Sequence, residues 1–310
     1  MKTQQAKKER VQGLLAEINR VAKGVDRPLV LMEVCGTHTV AIAQSGIRDL
    51  LPANIRLLSG PGCPVCVTDT ADLDAVINLA ERPEVILATY GDLIRVPGSV
   101  STLQEKRSQG ANVQVVYSAL EALQLAERYP HSEVVMAGIG FETTAPATAV
   151  VVEQAQQKGL RNFSVFSLHK VVPPALRALL TDPAVNIDAF INPGHVCTIL
   201  GVEPFRFVAE EFNRPCVVAG FEAADILEAI LMILKQYQTQ RWQVEIQYRR
   251  AVRPEGNQIA QNYLERFFQP VSARWRGLGI IPASGLALRP EFAAWDTEQK
   301  LGVSSGETVA

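Results

Sequence analysis

Two of the five cysteines in this chain form Cys63-Pro64-Val65-Cys66. A Cys-x-x-Cys that opens a helix has two chemical uses. The helix N-terminus favours a thiolate on the first cysteine, so the pair can open and close a disulfide. Alternatively, both sulfurs can hold one metal ion. A zinc site of this kind would need two more ligands, and no second Cys-x-x-Cys or His pair is present. The lead-in is an apolar run from Ile55 closed by Gly60-Pro61-Gly62, which puts the pair just beyond a buried strand.

A third thiol lies in Glu33-Val-Cys35-Gly-Thr37-His38-Thr39, again directly after an apolar run. Thiol and imidazole together suit iron, zinc or copper, or a nucleophile and its base. Thr37 and Thr39 add hydroxyls that could contact a bound group. A lone buried histidine is more often structural. Here His195 and Cys197 recur in Asn192-Pro-Gly-His-Val-Cys-Thr198, at an analogous strand end, which favours chemistry. Phe141-Glu142-Thr143-Thr144 places a carboxylate at another strand-to-helix turn. Glu142 could accept a proton or position a thiol, with the Thr143 hydroxyl beside it. His131 and Cys216 read as structural, and His169-Lys170 is left open. The arginines from Arg241 to Arg276 are spread out and read as a solvated face.

Several classes are excluded or disfavoured. Gly138-Ile-Gly140 lacks the third glycine of a dinucleotide fingerprint, and the next strand ends without an acid. No phosphate-binding Gly-x-x-x-x-Gly-Lys-Ser/Thr exists. Net charge is −2, which gives no nucleic-acid footprint. No apolar run reaches the roughly 18 residues of a membrane span, and the N-terminus has no secretory apolar segment. The expectation is a cytoplasmic protein without nucleic-acid or membrane partners. In that reducing setting, patterned cysteines are more often catalytic or metal-binding than structural.

The elements that must carry these residues alternate. Apolar runs at Pro28–Val34, Ile55–Leu58, Val85–Thr89 and Val113–Tyr117 are followed by turn residues and, usually, helical periodicity. A second series runs through Glu133–Ala137, Phe163–Ser167, Ala189–Ile191 and Cys216–Val218. This rhythm predicts parallel sheets covered by helices, with ligands beyond the carboxyl ends of the strands. The two series align at offsets that drift between 101 and 108 residues, as small differences in loop length produce. Cys35–Thr39 matches Gly140–Thr144, Ser59 matches Ser167, Tyr90-Gly91 matches Pro193-Gly194, and Ser118–Ala122 matches Ala219–Ala223.

The predicted architecture is α/β: two similar, Rossmann-like parallel-sheet domains facing a cleft, plus a partial third α+β lobe. Residues 1–28 should form a helix packed on the third lobe, with apolar positions Val11, Leu14, Leu15, Ile18 and Val21. Residues 29–130 and 131–235 form the two domains. Residues 236–310 form the third lobe, with a strand at Gln240–Tyr248, a helix at Pro254–Phe268 and a fraying end at Leu301–Ala310.

These motifs together resemble the HypD family of hydrogenase maturation factors. The matching stretches are Glu33–Thr39, Gly60–Cys66, Tyr90-Gly-Asp92, Gly140–Pro146, Asn192–Val196, Gly220-Phe-Glu222 and Trp275–Gly279. The resemblance implies a scaffold on which the Fe(CN)2CO centre of nickel–iron hydrogenase is assembled, between this chain and a HypC-like chaperone, with cyanide from a HypE-like donor. It implies Cys35 as the iron-associated thiol with His38 nearby, Cys63 and Cys66 as a redox dithiol, and Glu142 and His195 in the same cleft. The family also implies a [4Fe–4S] cluster, which needs four thiolates. No cysteine follows Cys216, so the expectation is a third lobe truncated relative to the family and no cluster. Two rival readings are a cytosolic thiol–disulfide oxidoreductase and an inactive partner-binding paralogue.

Overall fold

The computed structural model describes residues 2–303, with side chains from residue 5 onward. Residues 304–310, in the stretch expected to fray, lie outside the described residues. The chain forms two compact units, each built from non-contiguous segments. The first comprises the residues up to Cys63 together with Ala175–Gln258. The second comprises Pro64–Pro174 and the residues from Ile259 onward.

Eleven strands are present among the described residues: β1 Leu29–Glu33, β2 Ile55–Ser59, β3 Val85–Thr89, β4 Val113–Val115, β5 Glu133–Gly140, β6 Phe163–His169, β7 Ala189–Pro193, β8 Cys216–Ala219, β9 Val244–Ile246, β10 Phe268–Trp275 and β11 Gly279–Leu288. The first unit holds a sheet in the order β2-β1-β7-β8-β9, and the second holds β4-β3-β5-β6. Every pair in both sheets is parallel. Their central strands are mostly apolar, as strands buried on both faces tend to be, with the polar residues Glu33, Thr89, Glu133 and Asn192 at or next to strand ends.

The expected mixed α/β class and parallel sheets are present, but the expected consecutive domains are not. Sequential strands usually neighbour one another. Here β1 instead takes β7 as its inner neighbour, with Leu31 opposite Ala189 and Glu33 opposite Ile191. The internal match explains the arrangement. Read from one edge, the first sheet runs β2, β1, β7, β8; the second runs β6, β5, β3, β4. The four aligned pairs of the sequence therefore occupy the same rank in the two sheets. Apart from the added edge strand β9, each sheet takes two strands from each half of the chain, so the halves are exchanged rather than stacked one after the other.

The described residues of the expected third lobe, 236–303, divide between the two units. β9 extends the first unit's sheet by pairing with β8, Cys216 opposite Val244. The helix Gln258–Phe267 and the antiparallel hairpin β10–β11 lie almost wholly in the second unit, where Phe267, Phe268, Leu286 and Leu288 join its core. The N-terminal helix Lys2–Ala22 is amphipathic as predicted, but it packs elsewhere. Its Ile18, Val21 and Ala22 bury against Leu227, Ile230 and Leu234 of the helix Ala223–Thr239, within the first unit's core. Burying one such aliphatic side chain stabilises by about 1.5–3 kcal/mol, which outweighs the exposed ion pairs Lys7–Glu222 and Arg10–Glu228 along the same contact, worth about 0–1 kcal/mol each. Among the described residues, no helix is long and apolar enough to cross a membrane.

Candidate functional site

In the first unit, Cys35 leaves β1 at the N-cap position of the helix Gly36–Ser45. Its backbone is extended and its side chain makes no capping bond, so the half-buried, free thiol is left available. The loop that ends at Cys63 lies directly against it. The Gly36 N–H donates to the Gly62 carbonyl at 3.1 Å. A Cβ on Gly62 would sit 2.2 Å from the Val34 oxygen and 2.6 Å from both Cys35 Cα and Gly36 N. Only a residue without a Cβ lets two backbones come this close. The glycine before Cys63 is thus what brings the Cys63 loop onto the Cys35 loop.

His38, one turn into the same helix, is fully buried. Its Nε2 lies 3.0 Å from the Gly220 carbonyl oxygen. A carbonyl only accepts, so Nε2 carries the hydrogen and Nδ1 keeps its lone pair. That Nδ1 is buried and has no hydrogen-bond partner. Burial pulls the imidazole down to about 4, so the ring is neutral near pH 7. A neutral imidazole with one nitrogen anchored on a backbone carbonyl and the other open is the form in which histidine ligates metals. The donor chemistry of Cys35 and His38 therefore fits iron. Two donors do not complete a site: among the described residues, no group of three or more His, Cys, Asp or Glu is arranged to hold a metal. An iron held here would need further ligands from outside these side chains.

His195 follows β7 in the helix Gly194–Leu200 and is exposed, with burial still lowering its pKa. It reaches His38 through a residue that sequence reasoning missed. The Phe221 ring stacks on His38 with centroids 4.7 Å apart and on His195 at 4.0 Å. Tyr248 meets Phe221 edge-on at 5.8 Å. The signal for Phe221 was present in Gly220-Phe221-Glu222, an aromatic residue just past a strand end, but its packing partners come from distant segments. Thr39 donates to the Cys35 carbonyl at 3.4 Å, while Thr37 is exposed. Cys197 is completely buried on the inner side of its helix.

Cys66 belongs to the second unit, in the one-turn helix Pro64–Val67. Cys63 and Cys66 are in the disulfide state, and Cys66 is exposed. Glu142 follows β5 and is 1% exposed. Its Oε1 accepts from the Val172 N–H at 2.8 Å, whereas Oε2 is buried without a partner. Burial raises this carboxyl to about 7, a value that suits proton transfer near neutrality. Thr143 beside it is exposed.

His169, left open by the sequence, is structural. The Ser167 hydroxyl donates to the Leu286 carbonyl, so His169 Nδ1–H donates to Ser167 Oγ at 3.1 Å. Thr148 lies 3.3 Å from Nε2. Both ring nitrogens are occupied, and burial, helped by the Lys170 charge, pulls the ring down to about 3. Lys170 is buried 3.5 Å from Asp72. Cys216 is sealed within β8, and burial pushes its thiol far up, consistent with a structural role.

Parallel sheets with a thiol, an open imidazole and a dithiol in the segments beyond their strands define an α/β protein with candidate ligand residues at that end. Comparison with known proteins gives the family. The model of the HypD family, described as "hydrogenase formation hypA family", matches residues 9–309. The "hydrogenase maturation factor HypD" of Rhodobacter capsulatus is 46% identical over 304 residues, covering 96% of this chain and 81% of the relative. That of Rhizobium leguminosarum bv. viciae is 49% identical over 280 residues, 88% and 73%. That of Escherichia coli K12 is 42% identical over 289 residues, 93% and 78%. The chain belongs to the HypD family of hydrogenase maturation factors.

Proposed function

We propose that this chain is a cytoplasmic scaffold for assembly of the Fe(CN)2CO centre of nickel–iron hydrogenase. Its cargo is iron, taken by the Cys35 thiolate and the His38 Nδ1 lone pair. Diatomic ligands and a HypC-like chaperone fill the remaining positions, with cyanide arriving from a HypE-like donor. The observation that carries this reading is the buried, unpartnered Nδ1 of His38 on the helix whose N-cap is the half-buried Cys35. A purely structural histidine in this setting would have both ring nitrogens satisfied, as His169 does.

The Cys63/Cys66 pair serves as the redox partner. Accepting two electrons and two protons opens its disulfide to two thiols, and the reverse step returns them. Those electrons come from a reductant that acts on this disulfide, a thiol or an iron–sulfur donor. Glu142, poised near neutrality, and His195 are the candidate proton carriers, and Thr37, Thr39 and Thr143 are candidate hydroxyl contacts. The test is maturation of hydrogenase in cells whose own copy is replaced by a Cys35→Ala variant. Loss of both maturation and copurifying iron supports the scaffold; retention of both overturns it.

A thiol–disulfide oxidoreductase is the second reading, favoured by the disulfide state of Cys63 and Cys66. Thiol titration in redox buffers separates the two: an oxidoreductase keeps its exchange activity in Cys35→Ala, and a dithiol without reversible exchange excludes it. An inactive, partner-binding paralogue would copurify with a HypC-like protein but carry no iron.

A further inference from the structure

Phe221 touches both imidazoles of the first unit and is itself held on three sides. The rings of His38 and His195 both lie nearly parallel to it, at interplanar angles of 27° and 24°. One face of a six-membered ring has room for a single imidazole at this separation, so the three rings form a column with Phe221 in the middle. Tyr248 closes the edge of the column at an interplanar angle of 82°, the edge-to-face geometry that an aromatic quadrupole favours. Tyr248 is fixed in turn. The Arg250 guanidinium lies 4.6 Å over its ring and forks onto Asp225 with Nη1 at 2.9 Å and Nη2 at 2.5 Å. Asp225 also accepts from the Glu222 N–H, next in sequence to Phe221. A Cβ at Gly220 would lie 2.3 Å from Asp225 Oδ2 and 2.6 Å from Tyr248 Cδ2, so the whole arrangement requires glycine there.

The same turn therefore supplies two constraints on His38. The Gly220 carbonyl sets which nitrogen carries the hydrogen, and the Phe221 face sets the plane of the ring. A hydrogen bond alone leaves an imidazole free to rock about it; a flat wall removes that freedom. The column also leaves His195 in one orientation at the exposed end.

We propose that Phe221 is the positioning residue of the Cys35–His38 site, fixing the ring plane of His38 so that its open nitrogen is pre-set to receive a thiolate-bound divalent metal, and holding His195 as the outer imidazole. This rests on the reading of Cys35 and His38 as the metal-accepting pair. Groups that orient a ligating histidine typically change metal affinity by about 10–100-fold when removed.

The test uses the full chain, reduced and anaerobic, titrated with cobalt(II) alone as the probe. Thiolate-to-cobalt charge-transfer and ligand-field bands report the donor set. Binding that disappears in Cys35→Ala and His38→Ala confirms the pair on which the proposal rests. Phe221→Ala should then weaken cobalt binding at least tenfold and shift the ligand-field bands, while Phe221→Tyr, which keeps a flat face, stays within about threefold of the parent. In parallel, nitrogen-15 NMR of labelled histidines should show one Nε2–H form for His38 in the parent and in Phe221→Tyr, and a mixture of forms in Phe221→Ala, where the freed ring rocks out of line with the Gly220 carbonyl that selects the Nε2–H form. Cobalt binding and a His38 signal unchanged in Phe221→Ala overturn the proposal. So does equal loss in the alanine and tyrosine variants, which would mark Phe221 as packing only. Binding that survives His38→Ala overturns the underlying pair instead, and the NMR comparison still decides whether Phe221 orients the ring.

Discussion

The Gly220 carbonyl oxygen takes the Nε2 hydrogen of His38 at 3.0 Å, 182 residues away along the chain. This bond joins the helix after β1 to the turn after β8, at the same end of one sheet. Removing the imidazole strands a buried acceptor, which costs about 1–3 kcal/mol. His38→Ala should lose about that much in urea unfolding of the metal-free protein. An unchanged midpoint would mean that the bond contributes nothing to the turn's stability.

The close approach at Gly62 predicts a second loss. The atoms that a new Cβ would meet are all backbone, and they cannot swing away as a flexible side chain could. Gly62→Ala should cost about 1–3 kcal/mol, the range for overpacking. It should also change the rate at which Cys35 is alkylated, because the loop that carries it must move. A variant with the parent's melting temperature and alkylation rate would show that the two loops are not tightly held.

Glu142 predicts a dependence on pH. Burial raises its carboxyl from 4.5 to about 7 in the folded chain. Between those values the native state binds a proton that the unfolded state has released, so its contribution is full below pH 4.5 and is lost as pH rises through 7. In Glu142→Gln that loss disappears. Relative to the parent, the variant should gain about 3 kcal/mol between pH 4 and pH 8. His169 works in the opposite direction, since its lowered pKa makes stability fall as pH drops from 6.5 toward 3. Urea midpoints at three pH values decide the matter; parallel profiles would show Glu142 ionising normally.

The Lys170–Asp72 pair is buried on both sides. Burial lowers the lysine and raises the aspartate, so each depends on the other to stay charged. Lys170→Met should cost about 3–5 kcal/mol, because it leaves an uncompensated carboxylate. The double variant Lys170→Met with Asp72→Asn should be markedly less damaged than the sum of the singles. Additive losses would mean that the two side chains act independently.

Much of this was legible in local sequence. Strand positions followed from short apolar runs bounded by glycine and proline, and Cys35, Glu142 and His195 each lie two residues past a strand. The exchange of halves was not legible, because pairing of β1 with β7 rather than β3 depends on where a crossover lands, and no local pattern records that. The internal match carried the needed information: it equated β1 with β5 and β7 with β3, and those ranks are what the two sheets share. Residues 236–310 misled because a change in composition resembles a new lobe, whereas Phe267, Phe268 and Leu288 were apolar enough to enter an existing core. Phe221 and Tyr248 were missed for a related reason. An aromatic residue's value lies in its neighbours, and theirs come from three separate stretches of chain.

The most direct measurement is infrared spectroscopy, with iron analysis, of the protein purified anaerobically after coexpression with a HypC-like protein. The account predicts stoichiometric iron with cyanide and carbonyl bands in the parent, and loss of both in Cys35→Ala and His38→Ala. Iron and the same bands persisting in both variants would contradict it.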